Sequence, residues 1–470
     1  MTASSIDQVA TLAGRVATEF AGTALGAAAA VVAAGRHEPL RLAVAGRVKA
    51  GKSTLLNALV GEPLAPTDAG ECTRVVTWYR HGLTRGARVE RVDGSAVDVP
   101  VERTPDALVV DLGTEVDAVR RLDIRWPASR LSTITLIDTP GIGSVRHRGG
   151  AAATELVNSD DPDHAVDAVV YLTNQVHPDD WRFLEAFTDG AGIRPDPSCA
   201  VALLSRADEV AGGAADALDH AAVAAARAAA DPAVRRSCQT VLPVSALLAA
   251  GAVRLTIEQH RQLVALAGDP DVRARLRTAS RFVENGVAIG GVDTEVRRAL
   301  LAQLGLFGVR AAVAMLGDRP TTSAAQLVAS LRAMSGLDEL VDVIEHQFLR
   351  RRDALRTRTG LRALWSAATA HGPGVVDAIA ELERIEAADH ELAELGLLAA
   401  WRAGQLRLRP EHGADLERWL DPPEDEGGHR RGELLESLDR WRQLAEHPLT
   451  RPTEAAAAQV VARSVERRLA

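Results

Sequence analysis

Eight consecutive residues, Gly46-Arg47-Val48-Lys49-Ala50-Gly51-Lys52-Ser53, constrain this chain more than any other feature. They fit the pattern G-x-x-x-x-G-K-[ST]. Residues 40–45, just before, are apolar and strand-like; Thr54-Leu55-Leu56-Asn57-Ala58-Leu59, just after, has helical spacing. A strand, a glycine-containing loop and a helix in that order turn backbone N–H groups toward one point, and the helix start adds partial positive charge there. Such a loop accepts a phosphate chain, so Gly46, Lys49, Ala50, Gly51, Lys52, Ser53 and Thr54 are candidate nucleotide-binding residues. Lys52 is placed to reach the β- and γ-phosphates, and the Ser53 hydroxyl to take one position on Mg²⁺.

Composition narrows the class. A chain of 470 residues predicts two or three domains, and 47% apolar content predicts a globular one. The net charge of −9 speaks against nucleic acid as a partner, and against membrane attraction by net charge alone. Cys72, Cys199 and Cys238 share no metal-type spacing and are odd in number, as expected of reduced thiols in a cytoplasmic protein. Residues 20–34 are Ala-rich and uncharged, but the phosphate loop follows, so no signal peptide is expected. Residues 300–316 contain Gln303 and Arg310, and no transmembrane helix is expected.

The pattern predicts an α/β fold with a mainly parallel sheet and a helical C-terminal part. Strand candidates are 40–45, 74–80, 87–92, 119–126, 133–138, 167–173, 200–205 and 240–245. The first 35 residues read as one long helix. After residue 246 no strand is expected, and 246–268, 270–285, 293–316, 321–333, 337–370, 376–405, 413–420, 431–446 and 452–470 read as helices. The expected domains are a neck helix at 1–36, a nucleotide domain at 37–350 with a helical insertion near 247–335, and a helical bundle at 351–470.

A nucleotide-hydrolysing core needs more than a phosphate cradle, and candidates for the other parts follow in chain order. Thr73, in Cys72-Thr73-Arg74, is placed to ligate Mg²⁺ and sense the γ-phosphate; Thr67, after Pro66, is the alternative. Asp138-Thr139-Pro140-Gly141 ends an apolar run: Asp138 serves the metal and the Gly141 N–H the γ-phosphate. In Ser205-Arg206-Ala207-Asp208 the carboxylate matches the paired N1–H and amine donors of guanine, which adenine lacks, so GTP and GDP are the expected nucleotides. Ser and Arg occupy the first two places of the usual [NT]-K-x-D; Arg206 still has the reach to stack on a base and lie along the phosphate loop. Ser245 and Ala246 fit a loop whose backbone N–H meets the guanine carbonyl.

These motifs, with Gly70-Glu71-Cys72-Thr73-Arg74 and the long helical C-terminal part, resemble the dynamin superfamily. Val48-Lys49-Ala50-Gly51-Lys52-Ser53-Thr54, Leu304-Gly305-Leu306-Phe307-Gly308-Val309-Arg310 and Ser335-Gly336-Leu337 resemble the shorter member of the actinobacterial isoniazid-inducible dynamin-like proteins. The resemblance implies Mg²⁺-dependent GTP hydrolysis and homodimers formed across the nucleotide through GTPase domains. It also implies a possible second dynamin-like partner, and a helical stalk that couples turnover to remodelling of a membrane, bound peripherally at the inner face of the plasma membrane. It makes residues 336–361 the last GTPase-domain helix, and packs helix 6–35 beside C-terminal helices. It places at position 49 a charge that acts catalytically, so Lys49, Lys52 and Thr73 are the catalytic candidates, with a solvent-facing lysine the alternative at 49.

The membrane surface is harder to place. Residues 421–426 are acidic, and the arginines at 350, 351, 352, 356 and 358 could meet lipid, although such a run on a helix is more often a solvated or inter-helix face. Residues 304–316 are expected to be buried between helices. Two rivals remain open: a scaffold acting through a partner, and a ribosome-assembly-type GTPase, which should carry a basic appendage.

Overall fold

The computed structural model describes residues 4–65, 75–104, 108–141, 161–175, 180–181, 183–184, 197–287, 289–421 and 431–469. Eleven strands are present among them: β1 (Leu40–Gly46), β2 (Thr77–His81), β3 (Gly86–Arg91), β4 (Ala96–Val99), β5 (Val101–Arg103), β6 (Leu108–Val110), β7 (Val119–Trp126), β8 (Ile134–Asp138), β9 (Ala168–Thr173), β10 (Ala200–Ser205) and β11 (Val241–Val244). Nine form one sheet in the order β11-β10-β9-β1-β8-β2-β7-β3-β4, and β5 pairs with β6.

The five strands from β11 to β8 are mutually parallel. Every residue of β1, β8, β9 and β10 is buried, which explains their continuous apolar sequence: both faces of this half are covered. Beyond β8 the sheet is mixed, with β2 antiparallel to β8 and β3 antiparallel to both β7 and β4. The expected fold class is therefore the observed one, an α/β domain followed by helices. The strands missing from the sequence reading are β4, β5 and β6. All three are short; β4 and β5 are largely exposed, and β6, with Leu108 and Val110 buried, is only three residues long, too short for its alternation to be read.

Helices of eight or more residues are α1 (Ser5–Glu19), α2 (Ala24–Ala34), α3 (Lys52–Val60), α4 (Ala217–Ala230), α5 (Ala246–Val253), α6 (Ile257–Ala267), α7 (Thr294–Asp318), α8 (Ala324–Met334), α9 (Arg352–His371), α10 (Val376–Ala388), α11 (His390–Arg402), α12 (Pro410–Leu420), α13 (Arg431–Glu446) and α14 (Pro452–Leu469). The single helix expected over the first 35 residues is a hairpin. Gly22 takes φ 83, and the Thr23 hydroxyl accepts from the Gly26 N–H to start α2. The helix expected at 246–268 breaks after Val253, and a capping box of Thr256 and Gln259 starts α6. The helix expected at 337–370 is divided by a π-helical turn at Ile344–Leu349.

Four cores hold these elements. The sheet has the largest. Helices α5 to α8 enclose a second, lined by Leu248, Leu263, Leu304, Phe307 and Leu327. The hairpin α1–α2 packs against α9 and α10 through Val9, Leu12, Leu361, Leu364 and Ile385. Helices α11 to α14 close on Leu398, Trp419, Trp441 and Val461. By length and composition α7 is apolar enough to cross a bilayer, although none was expected. Its buried face, including Leu300, Leu304, Phe307, Ala312 and Leu316, lies in the second core, and Gly305 interrupts its helical geometry.

Candidate nucleotide site

Strand β1 ends at Gly46, where a Cβ would collide with the carbonyl of Leu172 on neighbouring β9. Only glycine lets the chain leave the sheet here. The loop then needs left-handed backbone at Lys49 (φ 61) and Gly51 (φ 95), after which α3 begins at Lys52. Lys49 pays for this conformation with strain that a glycine would not carry. Its side chain is exposed, while Ala50 is buried, with its N–H donating to the Arg47 carbonyl. Thr54 lies in the first turn of α3.

Strand β8 runs in register beside β1, pairing Asp138 with Val44. The Thr139 hydroxyl and N–H both donate to the Val44 carbonyl, pinning the turn that follows. Gly141 comes so close to the loop that a Cβ would stand 2.8 Å from the Val48 Cα. Lys52, Ser53 and Asp138 thus converge. Ser53 Oγ donates to Asp138 Oδ2 at 3.1 Å, and Lys52 Nζ donates to the Gly46 and Arg47 carbonyls at 3.3 and 3.2 Å.

Burial dominates the electrostatics of these groups. Burial pushes the Asp138 carboxyl up to about 6, against the pull of Lys52 and the Ser53 hydrogen bond. Burial likewise holds the Lys52 ammonium below its ordinary range, partly offset by Asp138.

Two strands along, the same sheet edge carries the other group of candidates. Arg206 is left-handed (φ 55), and its guanidinium donates to the Lys49 carbonyl at 2.9 Å and pairs with Glu209 at 3.0 Å. The arginine that replaces the usual lysine therefore clasps the phosphate loop. Asp208 is buried, and desolvation raises its carboxyl above the usual range while Ser245 stabilises the charge. The Ser205 hydroxyl is buried with no hydrogen-bond partner among the described residues. Ser245 is also buried: its hydroxyl caps α5 through the Leu248 N–H, and its own N–H donates to the Ser335 carbonyl at 2.9 Å. That N–H is spent on Ser335, and Ala246 is the first residue of α5. Thr73 and its alternative Thr67 lie outside the described residues.

All of these groups sit beyond the carboxyl ends of parallel strands, on both sides of β1, where the strand order switches direction. Residues 42–195 match the dynamin family. The isoniazid-induced protein IniC of Mycobacterium tuberculosis is 34% identical over 91% of this chain and 90% of its own length. The chain belongs to the dynamin-like proteins of the isoniazid-induced type. A bacterial dynamin-like protein of Nostoc punctiforme is 28% identical over 33% of the chain and 23% of its own length. A solved structure described as an oligomerised bacterial dynamin pair aligns with 93% of the chain and 78% of its own, at 13% identity and a TM-score of 0.34. Membership of this family implies a GTPase that binds GTP and GDP.

The residues of this dynamin-like protein fit a divalent cation. Asp138 Oδ1 is buried with no partner among the described residues, and the Ser53 hydroxyl stands beside the other carboxylate oxygen. Ser53 and Asp138 are hard oxygen donors suited to Mg²⁺. When bound, such an ion neutralises charge on the phosphate oxygens.

Three features of this dynamin-like protein escaped the sequence reading. Arg47, inside the loop, pairs at 3.1 Å with buried Asp180, which also accepts from Tyr171 and Thr173 of β9 at 2.7 and 2.9 Å. Asn57 accepts from the Leu64 and Ala65 N–H groups at 2.8 and 2.7 Å, fixing the chain as it enters the Thr67–Thr73 region. An asparagine amid the apolar residues of α3 was the available signal for this role. Gly305 lies against Asp208; the segment 304–310 stood out as a resemblance to the family, but nothing in it pointed to this contact.

Proposed function

We propose that this dynamin-like protein hydrolyses GTP with Mg²⁺ and couples the cycle to membrane remodelling or repair. It would act through homodimers of its GTPase domains or with a second dynamin-like chain, in the cytoplasm and peripherally at the membrane's inner face. One observation carries the reading: Lys52, Ser53 and Asp138 meet at the ends of β1 and β8, with Asp208 on the same edge beyond β10. A water is the nucleophile, and positioning and fixed charge supply the catalysis. Lys52 and Ser53 hold the phosphates, Gly141 and Thr73 watch the terminal one, and Lys49 compensates charge developing between the β- and γ-phosphates.

A second reading, a GTP-binding scaffold that acts through a partner without touching lipid, is favoured by the fate of the basic cluster. Arg352 and Arg356 donate to the carbonyls of Glu38, Pro39 and Gly35, and Arg351 to that of Leu420. These three arginines join elements, while Arg350 of the same cluster is exposed. Co-sedimentation with neutral and anionic vesicles, with and without GTP, separates the two readings. Nucleotide-dependent pelleting supports remodelling; a soluble protein that still releases phosphate from GTP supports the scaffold.

A further inference from the structure

The helical insertion reaches the carboxylate assigned to the base. Helix α7 is seated closely on α5, the helix that starts at Ser245. Gln303 donates to the Gly251 carbonyl at 2.9 Å. A Cβ at Gly251 would collide with the Gln303 carbonyl, and one at Gly308 would stand 2.7 Å from Leu248 Cδ1. Arg310 ties α7 to its surroundings as well, donating to the Gly213 carbonyl at the end of the Asp208 loop and to those of Leu276 and Arg277.

Within this tightly held helix a single residue leaves helical geometry. Gly305 takes φ 70 and ψ 171, a region open essentially to glycine alone. The departure coincides with the passage of α7 across Asp208. A Cβ at 305 would stand 3.4 Å from Asp208 Oδ2 and 3.3 Å from Leu247 Cδ2. Asp208 is only 6% exposed, so the space beside Oδ2 is narrow. A base donor that reaches that oxygen needs the volume a side chain at 305 would fill.

Resting on the GTP reading above, we infer that Gly305 belongs to the base site: the break in α7 provides the clearance through which a nucleobase reaches Asp208. The helical insertion, and not the sheet alone, then determines which base is held. A base that reaches Asp208 past the Gly305 backbone is selected by shape as well as by hydrogen bonding.

The test is calorimetry on the full chain with Mg²⁺, using GDP, ADP, XDP and inorganic pyrophosphate. Pyrophosphate reports the cradle without a base. Gly305→Ala should weaken GDP by about tenfold or more and leave pyrophosphate within about twofold. Unchanged GDP affinity overturns the inference, and so does an equal loss of both ligands, which would mark a defect of the fold. Hydrogen exchange on the unaltered protein gives a readout free of backbone strain. Amides of residues 302–308 should slow with GDP and not with pyrophosphate; equal slowing, or none, overturns the inference. Asp208→Asn tests the underlying reading by itself and should shift preference from GDP to XDP. If the unaltered protein shows no preference for GDP over ADP, the GTP reading fails and the inference falls with it.

Discussion

Asp138 shows what the site costs the molecule. Its carboxyl, raised to about 6, binds a proton more tightly in the folded state than in the unfolded chain, where 3.8 applies. The sign follows: ionisation opposes folding, the penalty is complete above about pH 6, and it fades as pH falls toward 4. Asp138→Asn keeps the shape without the charge. In the absence of Mg²⁺ and nucleotide it should stabilise the protein at pH 7.5, by up to about 3 kcal/mol. The gain should shrink between pH 6 and 4 in thermal melts, and turnover should be abolished. A variant less stable than the parent at pH 7.5 contradicts this account. Lys49→Gly removes a charge at a position whose φ of 61 glycine accepts freely. GTP turnover should fall by about tenfold or more while GDP affinity holds, and an unchanged turnover number would show an idle lysine. The motif residues were legible because their chemistry demands fixed spacing within one loop. Asp180 and Gly305 were not, because each meets its partner through the fold, far along the chain.

Secondary structure was legible where burial imposes a period. Strands β1, β8, β9 and β10 are buried throughout, and continuous apolar runs marked them to within a residue or two. The hairpin α1–α2 was missed because the alanines on either side of Gly22-Thr23 read as uninterrupted helix. The turn signal was present, but helix propensity outweighed it. The crossing of α5 and α7 depends on glycine as a spacer. Gly251→Ala should push the two helices apart and cost about 1–3 kcal/mol in chemical denaturation, the usual range for overpacking. A cost under about 0.5 kcal/mol would mean that the crossing is loose.

The whole molecule is tied together where α9, the sheet and the N-terminal hairpin meet. Asp167 is buried at the start of β9 and accepts from the Arg41 N–H at 2.9 Å and from Arg356 of α9 at 3.2 Å. Arg356 also donates to the Pro39 and Gly35 carbonyls at 3.1 and 2.8 Å, so one guanidinium joins three elements. Arg356→Ala leaves a buried carboxylate without its cation and should lower unfolding free energy by about 3–5 kcal/mol. A loss below about 1 kcal/mol would show that the junction does not depend on this pair. The arginine cluster was open between lipid and a solvated or inter-helix face, because a charge run has the same appearance in each role. The central claim remains the pocket beside β1. It is tested most directly by phosphate release from GTP and from ATP, with Mg²⁺, over a range of concentrations of the full chain. The account predicts release from GTP about a hundredfold faster than from ATP, at a specific rate that rises with protein concentration. Equal rates for the two nucleotides, or no release from GTP, would contradict it.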